Sequence, residues 1–226
     1  MAAERQSACL KASSWQSVSG ANLAAWADLA GRASEPNPFF ESWYLLPALR
    51  SFDPEGAAEL LVLERGGQWL GLLPVSRPPR YYGRPLPHLS TWRHANCFLG
   101  APLVARGHEA EFWQALLDWN DANAGKALFL HLAQLPLGGA LADALEAVCA
   151  AQSRRHGLVQ REERALLQSG LSAEAYLDAS MSGKKRKELR RQYNRLAEMG
   201  ALTFARSDDA QGLDGWIDDF LRLEMA

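Results

Sequence analysis

Two stretches of this sequence concentrate side chains that could bind or react. The first is Ser90-Thr-Trp-Arg-His-Ala-Asn-Cys-Phe-Leu-Gly-Ala-Pro-Leu-Val104, which crowds Trp92, Arg93, His94, Asn96 and Cys97 into a loop bounded by Gly and Pro. Polar, titratable and aromatic groups on one loop are the materials of a ligand pocket. His94 titrates near neutral pH and is a candidate base. Cys97 becomes a nucleophile only where a base or a positive charge lowers its pKa. The same residues also suit a structural turn with a buried thiol and a hydrogen-bonded imidazole, and both readings stay open. Just upstream, Tyr81-Tyr82-Gly83-Arg84-Pro85 reads either as a recognition loop for a sugar or peptide or as a surface turn.

The second stretch is Ser182-Gly-Lys-Lys-Arg-Lys-Glu-Leu-Arg-Arg-Gln-Tyr-Asn-Arg-Leu196. Its candidates for holding an anion are Lys184, Lys185, Arg186, Lys187, Arg190 and Arg191, joined further on by Arg195. A phosphate-bearing cofactor, a polyanionic glycan or lipid head groups at an anionic membrane surface would all suit them, and arginine's fork fits phosphate and carboxylate. On a helix these cations wrap most of the non-apolar arc instead of forming one stripe. A solvated outer face therefore stands beside the anion-site reading.

Composition narrows the field. Lys and Arg number 24 against 26 Asp and Glu, a net charge of −2, so a broad nucleic-acid track is not expected. Hydrophobic residues at 48% suffice for a sizeable core. Cys9, Cys97 and Cys149 are odd in number and far apart, which fits no disulfide framework and points to a reducing, cytoplasmic setting. The N-terminus lacks the apolar run of a signal peptide, and no window approaches the ~20 apolar residues of a membrane span. His88, His108, His131 and His156 are scattered without metal spacing, so no metal is expected. Neither a Gly-x-x-x-x-Gly-Lys-Ser/Thr phosphate loop nor a Gly-x-Ser-x-Gly elbow occurs.

The elements that must position these groups read as mixed α/β. A strand is predicted over 10–15, helices over 21–31 and 39–50, the second kinked or stopped early by Pro47. Two apolar runs around Gly66-Gly67 predict a hairpin over 59–75. Helices are predicted over 107–123 and 138–155, and strands over 128–135 and 158–168. Past Gly170 a short helix (173–179) leads into the basic helix, where Leu189, Tyr193, Leu196 and Met199 form one apolar stripe. A strand over 201–206 and an amphipathic helix over 213–225 follow. There is an internal echo, in which Leu23, Trp26 and Asp28 recur at one common offset as Leu213, Trp216 and Asp218. Domains are therefore expected over 1–170 and 171–226, the second breaking off after its first helix.

Four motifs, in this order, resemble the FemAB/CelD-like branch of the GNAT (Gcn5-related N-acetyltransferase) superfamily. They are Glu35-Pro-Asn-Pro-Phe-Phe-Glu-Ser-Trp-Tyr44, the hairpin ending Gly71-Leu-Leu-Pro-Val75, the loop His94–Val104 and the basic helix from Ser182 to Leu196. The resemblance implies a GNAT-like mixed sheet flanked by helices, plus the start of a second GNAT-like repeat entered through the basic helix. It implies acyl transfer from acetyl-CoA or another acyl-CoA to an amine of a glycan or cell-envelope precursor, as in polysaccharide biosynthesis. An aminoacyl-tRNA donor is the Fem-branch variant, against which the modest charge counts. The substrate-binding candidates are Trp92, Arg93, His94, Asn96, Tyr81 and Tyr82. The superfamily's pyrophosphate loop, roughly Arg/Gln-x-x-Gly-x-Gly/Ala between a strand and a helix, has no counterpart here. The nearest turn, Val104-Ala-Arg-Gly-His108, holds one glycine. The first domain is thus expected to lack the cofactor cradle and to serve acceptor binding, the chain not being competent alone. A non-enzymatic module that binds an anionic glycan or membrane through residues 184–195 is the alternative.

Overall fold

The computed structural model describes residues 7–165, 169–206 and 209–225. Two compact units, Met1–Val159 and Gln160–Ala226, divide the chain.

The first unit is a mixed sheet flanked by helices, the α/β class expected. Its centre is the hairpin of β2 (Glu59–Arg65) and β3 (Gln68–Ser76). Gly66 and Gly67 turn it with φ of 58° and 83°, angles that side chains with a Cβ rarely adopt. Leu60 to Leu63 and Leu70, Leu72, Leu73 and Val75 are all buried, so these strands are covered on both faces. One extra residue, Leu70, sits between the pairs Glu64–Trp69 and Leu63–Gly71. Such a bulge bends the strand and breaks the strict alternation of its side chains. Trp69 meets Trp26 of α1 (Gly20–Arg32), with ring centroids 5.8 Å apart.

β1 (Cys9–Ser14) pairs antiparallel with β2 at the sheet edge. α1 and α2 (Ser42–Phe52) pack together, α1 lying against β3. α3 (Glu109–Asn123) and α4 (Ala140–Ala151) form a second helical pair, α3 lying against β1 and β2. Pro47 does not stop α2, because buried Leu45, Ala48 and Leu49 hold the helix against the core through to Phe52. β4 (Leu89–Thr91) and β5 (Leu103–Val104) both pair with β3, at Val75–Ser76 and Gly71–Leu72 respectively. Residues 92–102 leave the sheet between them. β6 (Leu130–His131) runs parallel to β4, the one parallel pair among the described strands.

Several sequence expectations are corrected. The strand predicted over 128–135 shortens to two residues, because the loop backbone takes the place of a partner beyond His131. Residues 158–165 form no strand and are exposed, while 166–168 lie outside the described residues. Residues 201–206 form no strand either.

The second unit carries α5 (Ala173–Ser180), α6 (Gly183–Glu198) and α7 (Leu213–Glu224). Ser172 and Ser182 cap the first two helices by accepting N–H bonds from Ala175 and Lys185 at 3.2 and 3.4 Å. No helix of this unit buries a residue. The apolar stripe of α6 is exposed, with Tyr193 stacked on Phe204 at 6.4 Å. No described helix is long and apolar enough to cross a membrane.

Candidate functional site

The excursion 92–102 is held by backbone. Asn37, fully buried, donates from Nδ2 to the carbonyls of Ala101 (2.6 Å) and Leu99 (3.4 Å), and its Oδ1 accepts from the Phe39 N–H (3.1 Å). The Gly100 N–H donates to the Gln134 carbonyl at 3.0 Å. A Cβ at position 100 would overlap the Ala133 carbonyl oxygen, so only glycine allows this approach. Cys97 is 2% exposed and its thiol donates to the Leu99 carbonyl at 3.4 Å. Burial and that bond make it a packing residue, not the nucleophile the sequence left open.

On one side of this loop stands an aromatic wall. His94 stacks on Phe52 (4.5 Å) and Tyr44 (5.9 Å) of α2, with Trp92 tilted against it at 5.8 Å. Phe39 bridges Tyr44 and Phe98, edge to face. The Asn96 N–H donates to His94 Nδ1 (3.3 Å), and the Tyr44 hydroxyl donates to the Asn96 carbonyl (2.8 Å). That bonding puts the imidazole proton on Nε2, facing the Tyr44 oxygen at 3.5 Å. His94 can accept a substrate proton only after Nδ1 releases Asn96. Trp92, expected to touch ligand, is 7% exposed and backs the histidine instead.

On the other side lies a second cluster. The turn at Tyr82-Gly83 is closed by reciprocal bonds between Tyr81 and Arg84, both 3.0 Å. It lays the Tyr81 ring edge-on against His88 (5.1 Å), Phe129 (5.1 Å) and His131 (5.2 Å). His88 stacks on Phe129 at 5.0 Å and donates from Nδ1 to the Leu86 carbonyl at 3.0 Å. Parallel pairing of Ser90 with His131 sets the two imidazoles beside each other, ring centroids 6.1 Å apart.

Arg93 follows β4 at the start of the loop. Its charge acts on both His94 and His131. Of the six residues expected to bind substrate, Tyr81 and Tyr82 precede β4 in one aromatic cluster, Arg93, His94 and Asn96 follow it on the loop, and Trp92 is buried behind His94. Sequence reading missed Tyr44, Phe52, His88 and His131. The histidines come together only through strand register, and the α2 aromatics sit in what reads as an ordinary apolar helix.

Burial, and then Arg93, holds the His94 pKa below the ordinary imidazole value of 6.5. His131 is lowered by burial, then by His88 and Arg93. Burial raises the Tyr44 and Tyr81 hydroxyls, helped by Cys97 and Tyr82 respectively. The imidazoles bind fewer protons folded than unfolded, so stability falls as pH drops below 6.5 toward their depressed values. Urea midpoints are expected to decline between about pH 7 and pH 5. His94→Gln combined with His131→Gln flattens that decline; an unchanged slope in the double variant rejects the assignment.

At the strand-to-helix turn of this unit the backbone amides are already taken. Every N–H from Ala105 to His108 already has a protein acceptor: the Leu70 and Arg32 carbonyls, the Glu109 carboxylate and the Ala105 carbonyl. Glu109 and Glu111 occupy the first turn of α3 and claim the positive helix end that would attract phosphate. Glu111 is itself held by Arg65 and by His108 (2.8 Å).

The basic helix belongs to the second unit. Arg186 pairs with Asp178, and Arg191 with Glu188 at 2.8 Å. Lys184, Lys185, Lys187, Arg190 and Arg195 have no carboxylate partner among the described residues.

The sequence matches no protein-family profile and none of the curated proteins. Three solved structures to which the chain is similar are acetyltransferases. One is a GNAT family acetyltransferase of Staphylococcus aureus subsp. aureus USA300_TCH1516 (13% identity, 72% of this chain and 99% of that one, TM-score 0.40). Another is the aminoglycoside 6'-N-acetyltransferase AAC(6')-IG of Acinetobacter haemolyticus (14%, 72% and 99%, 0.38). The third is aminoglycoside N-acetyltransferase AAC(6')-Iy in complex with CoA (11%, 76% and 100%, 0.40).

Proposed function

We propose that the first unit is the acceptor-recognising shell of a GNAT-type acyltransferase, which binds an amine-bearing glycan or cell-envelope precursor. The observations that carry this reading are the two aromatic–imidazole clusters, one around Tyr81 and one around His94. With Arg93 they offer flat aromatic surface, imidazoles and one cation. Stacking surfaces with a few placed polar groups suit a sugar-like ligand. The four motifs of the sequence support the family. Acyl-CoA is the donor in this reading, and its diphosphate is held outside this shell, since the turn 104–108 has neither free amides nor a positive end. In the second unit, α6 offers an anion-binding surface through Lys184, Lys185, Lys187 and Arg190, with Arg186 and Arg191 partly committed to carboxylates. A reducing cytoplasm suits the three free cysteines.

Separate titrations of the whole chain with an amino sugar and with acetyl-CoA test the reading. Saturable binding of the sugar within the roughly 1 μM–1 mM range of enzyme substrates, seen in tryptophan fluorescence and weakened by Tyr44→Ala, is the expected result. Acetyl-CoA is expected to give no saturable heat in the same range. Tight acetyl-CoA binding that survives neutralisation of α6 overturns the assignment of the donor site. Failure of amino sugars and amine-bearing envelope precursors alike to bind overturns the acceptor reading.

A further inference from the structure

A cleft of about 320 Å³ opens where the last turns of α1 meet the first turn of α2. Ala27, Ala30 and Gly31 line one side, and Glu41, Ser42 and Trp43 the other. That volume lies within the range of small-molecule sites.

The lining has a sign. Glu41 is the only ionisable residue in it. Its Oε2 accepts from the Trp43 indole N–H at 2.8 Å, and the carboxylate spends no bond on capping α2. No described Lys, Arg or His pairs with it, so Oε1 is left to accept. The carbonyl end of α1 adds partial negative charge. Arg32, which could offset that end, is drawn off to Asp28 at 2.6 Å and to the Trp69 carbonyl at 3.2 Å. The start of α2 brings the roughly half positive charge of a helix end, less than the whole charge on Glu41. The cleft also has a shape. Its floor is made of small residues, and a Cβ added at Gly31 meets no atom within 4 Å. Its wall is the Trp43 indole, 64% exposed yet fixed by the bond to Glu41 and by an edge contact with Tyr44 at 5.9 Å. An exposed indole beside a carboxylate with an unspent oxygen attracts cations.

We propose that this cleft binds a primary ammonium group, with its charge on Glu41 and its aliphatic stem along Trp43 and the alanine floor. An ammonium has three N–H groups to give. The acceptors at hand are Glu41 Oε1, the Ser42 hydroxyl and the last carbonyls of α1. A quaternary ammonium has no N–H to give and is held by aromatic cages, whereas this cleft has a single aromatic wall. An amine held against Glu41 stays protonated and cannot attack an acyl group. The cleft therefore anchors its ligand, and it stands apart from the acceptor reading above.

Indole N–H NMR of the full chain tests this, with n-butylammonium, tetramethylammonium and neutral 1-butanol as probes; Trp43→Phe assigns the signal. Trp43 is expected to shift saturably at roughly millimolar butylammonium, an affinity within reach of a ligand of about five heavy atoms. Tetramethylammonium should bind more weakly and butanol not at all. Glu41→Gln keeps an oxygen for the indole N–H and removes the charge; it is expected to weaken binding about tenfold or more, the scale of a charged hydrogen bond. Gly31→Leu leaves Glu41 and Trp43 in place and fills the floor, and is expected to abolish binding. Unchanged signals from the other seven of the eight tryptophans verify that both variants are folded. A silent Trp43, an equal response to butanol, tetramethylammonium binding as tightly as butylammonium, or indifference to either substitution overturns the site.

Discussion

Replacing Gly100 by alanine is expected to destabilise the first unit by about 3 kcal/mol. The added methyl must occupy the space of the Ala133 carbonyl oxygen, which is backbone and cannot swing aside. Relief requires the loop to lift, which breaks the Gly100 N–H bond to Gln134. It also drags on the two carbonyls that Asn37 holds. For a unit of this size the thermal midpoint drops by roughly 6–12 °C. Differential scanning calorimetry measures it directly, and a midpoint within about 2 °C of the parent means the loop is not anchored there. Because the same backbone positions Arg93 and His94, ligand binding at the loop weakens in parallel.

Asn37→Asp should do comparable damage without any change of volume. The asparagine amide gives its two N–H bonds to the Ala101 and Leu99 carbonyls. A carboxylate in that fully buried position offers no donor and faces two oxygens. An unpaired buried charge of this kind costs about 3–5 kcal/mol, more than the loss of an ordinary hydrogen bond. The introduced carboxyl escapes by protonating, so its pKa in the folded protein rises above the unfolded value. The native state then binds the extra proton, and the deficit relative to the parent shrinks as pH falls toward the carboxyl range. Chemical denaturation at pH 7.5 and pH 5 checks the sign. A deficit that grows on acidification contradicts the assignment. Asn37 and Gly100 secure one loop, so the double variant should cost less than the sum of the singles.

The sequence revealed the shell more readily than the site. Helices α1, α3, α4 and α6 and the β2–β3 hairpin were legible because apolar spacing and Gly66-Gly67 are local signals. The short strands were not. Whether residues 128–135 continue a sheet depends on what lies beside them, and past His131 the one bond across is that of the Gly100 N–H to Gln134. Of the strand expected over 158–168 the described part, 158–165, is not extended into a sheet, and neither is 201–206; both carry charged residues that the local apolar count overlooked. At the site, Trp92, Arg93, His94 and Asn96 stood out because they crowd one loop. His88 and His131 looked like stray histidines, since only the Leu89–Leu130 register makes them neighbours. Tyr44 and Phe52 sit on a helix whose period accounts for them without any ligand. The turn 104–108 reads poorly as a diphosphate seat because it holds one glycine; its amides are taken by protein acceptors and Glu109 and Glu111 stand in the first turn of α3.

β3 grips both stems of the strand that residues 92–102 interrupt, Val75–Ser76 at one end and Gly71–Leu72 at the other. An excursion clamped at both ends by the same neighbour can be lengthened, shortened or rewritten while the scaffold beneath keeps its registration. Its exposed positions Arg93, Ala95, Asn96 and Phe98 are thus free to drift toward new ligands, whereas buried Cys97, Gly100 and the carbonyls bound by Asn37 are the fixed hinge pins that any such diversification must retain. Transplanting only that inner segment between similar scaffolds is therefore the economical route to exchanging what they recognise.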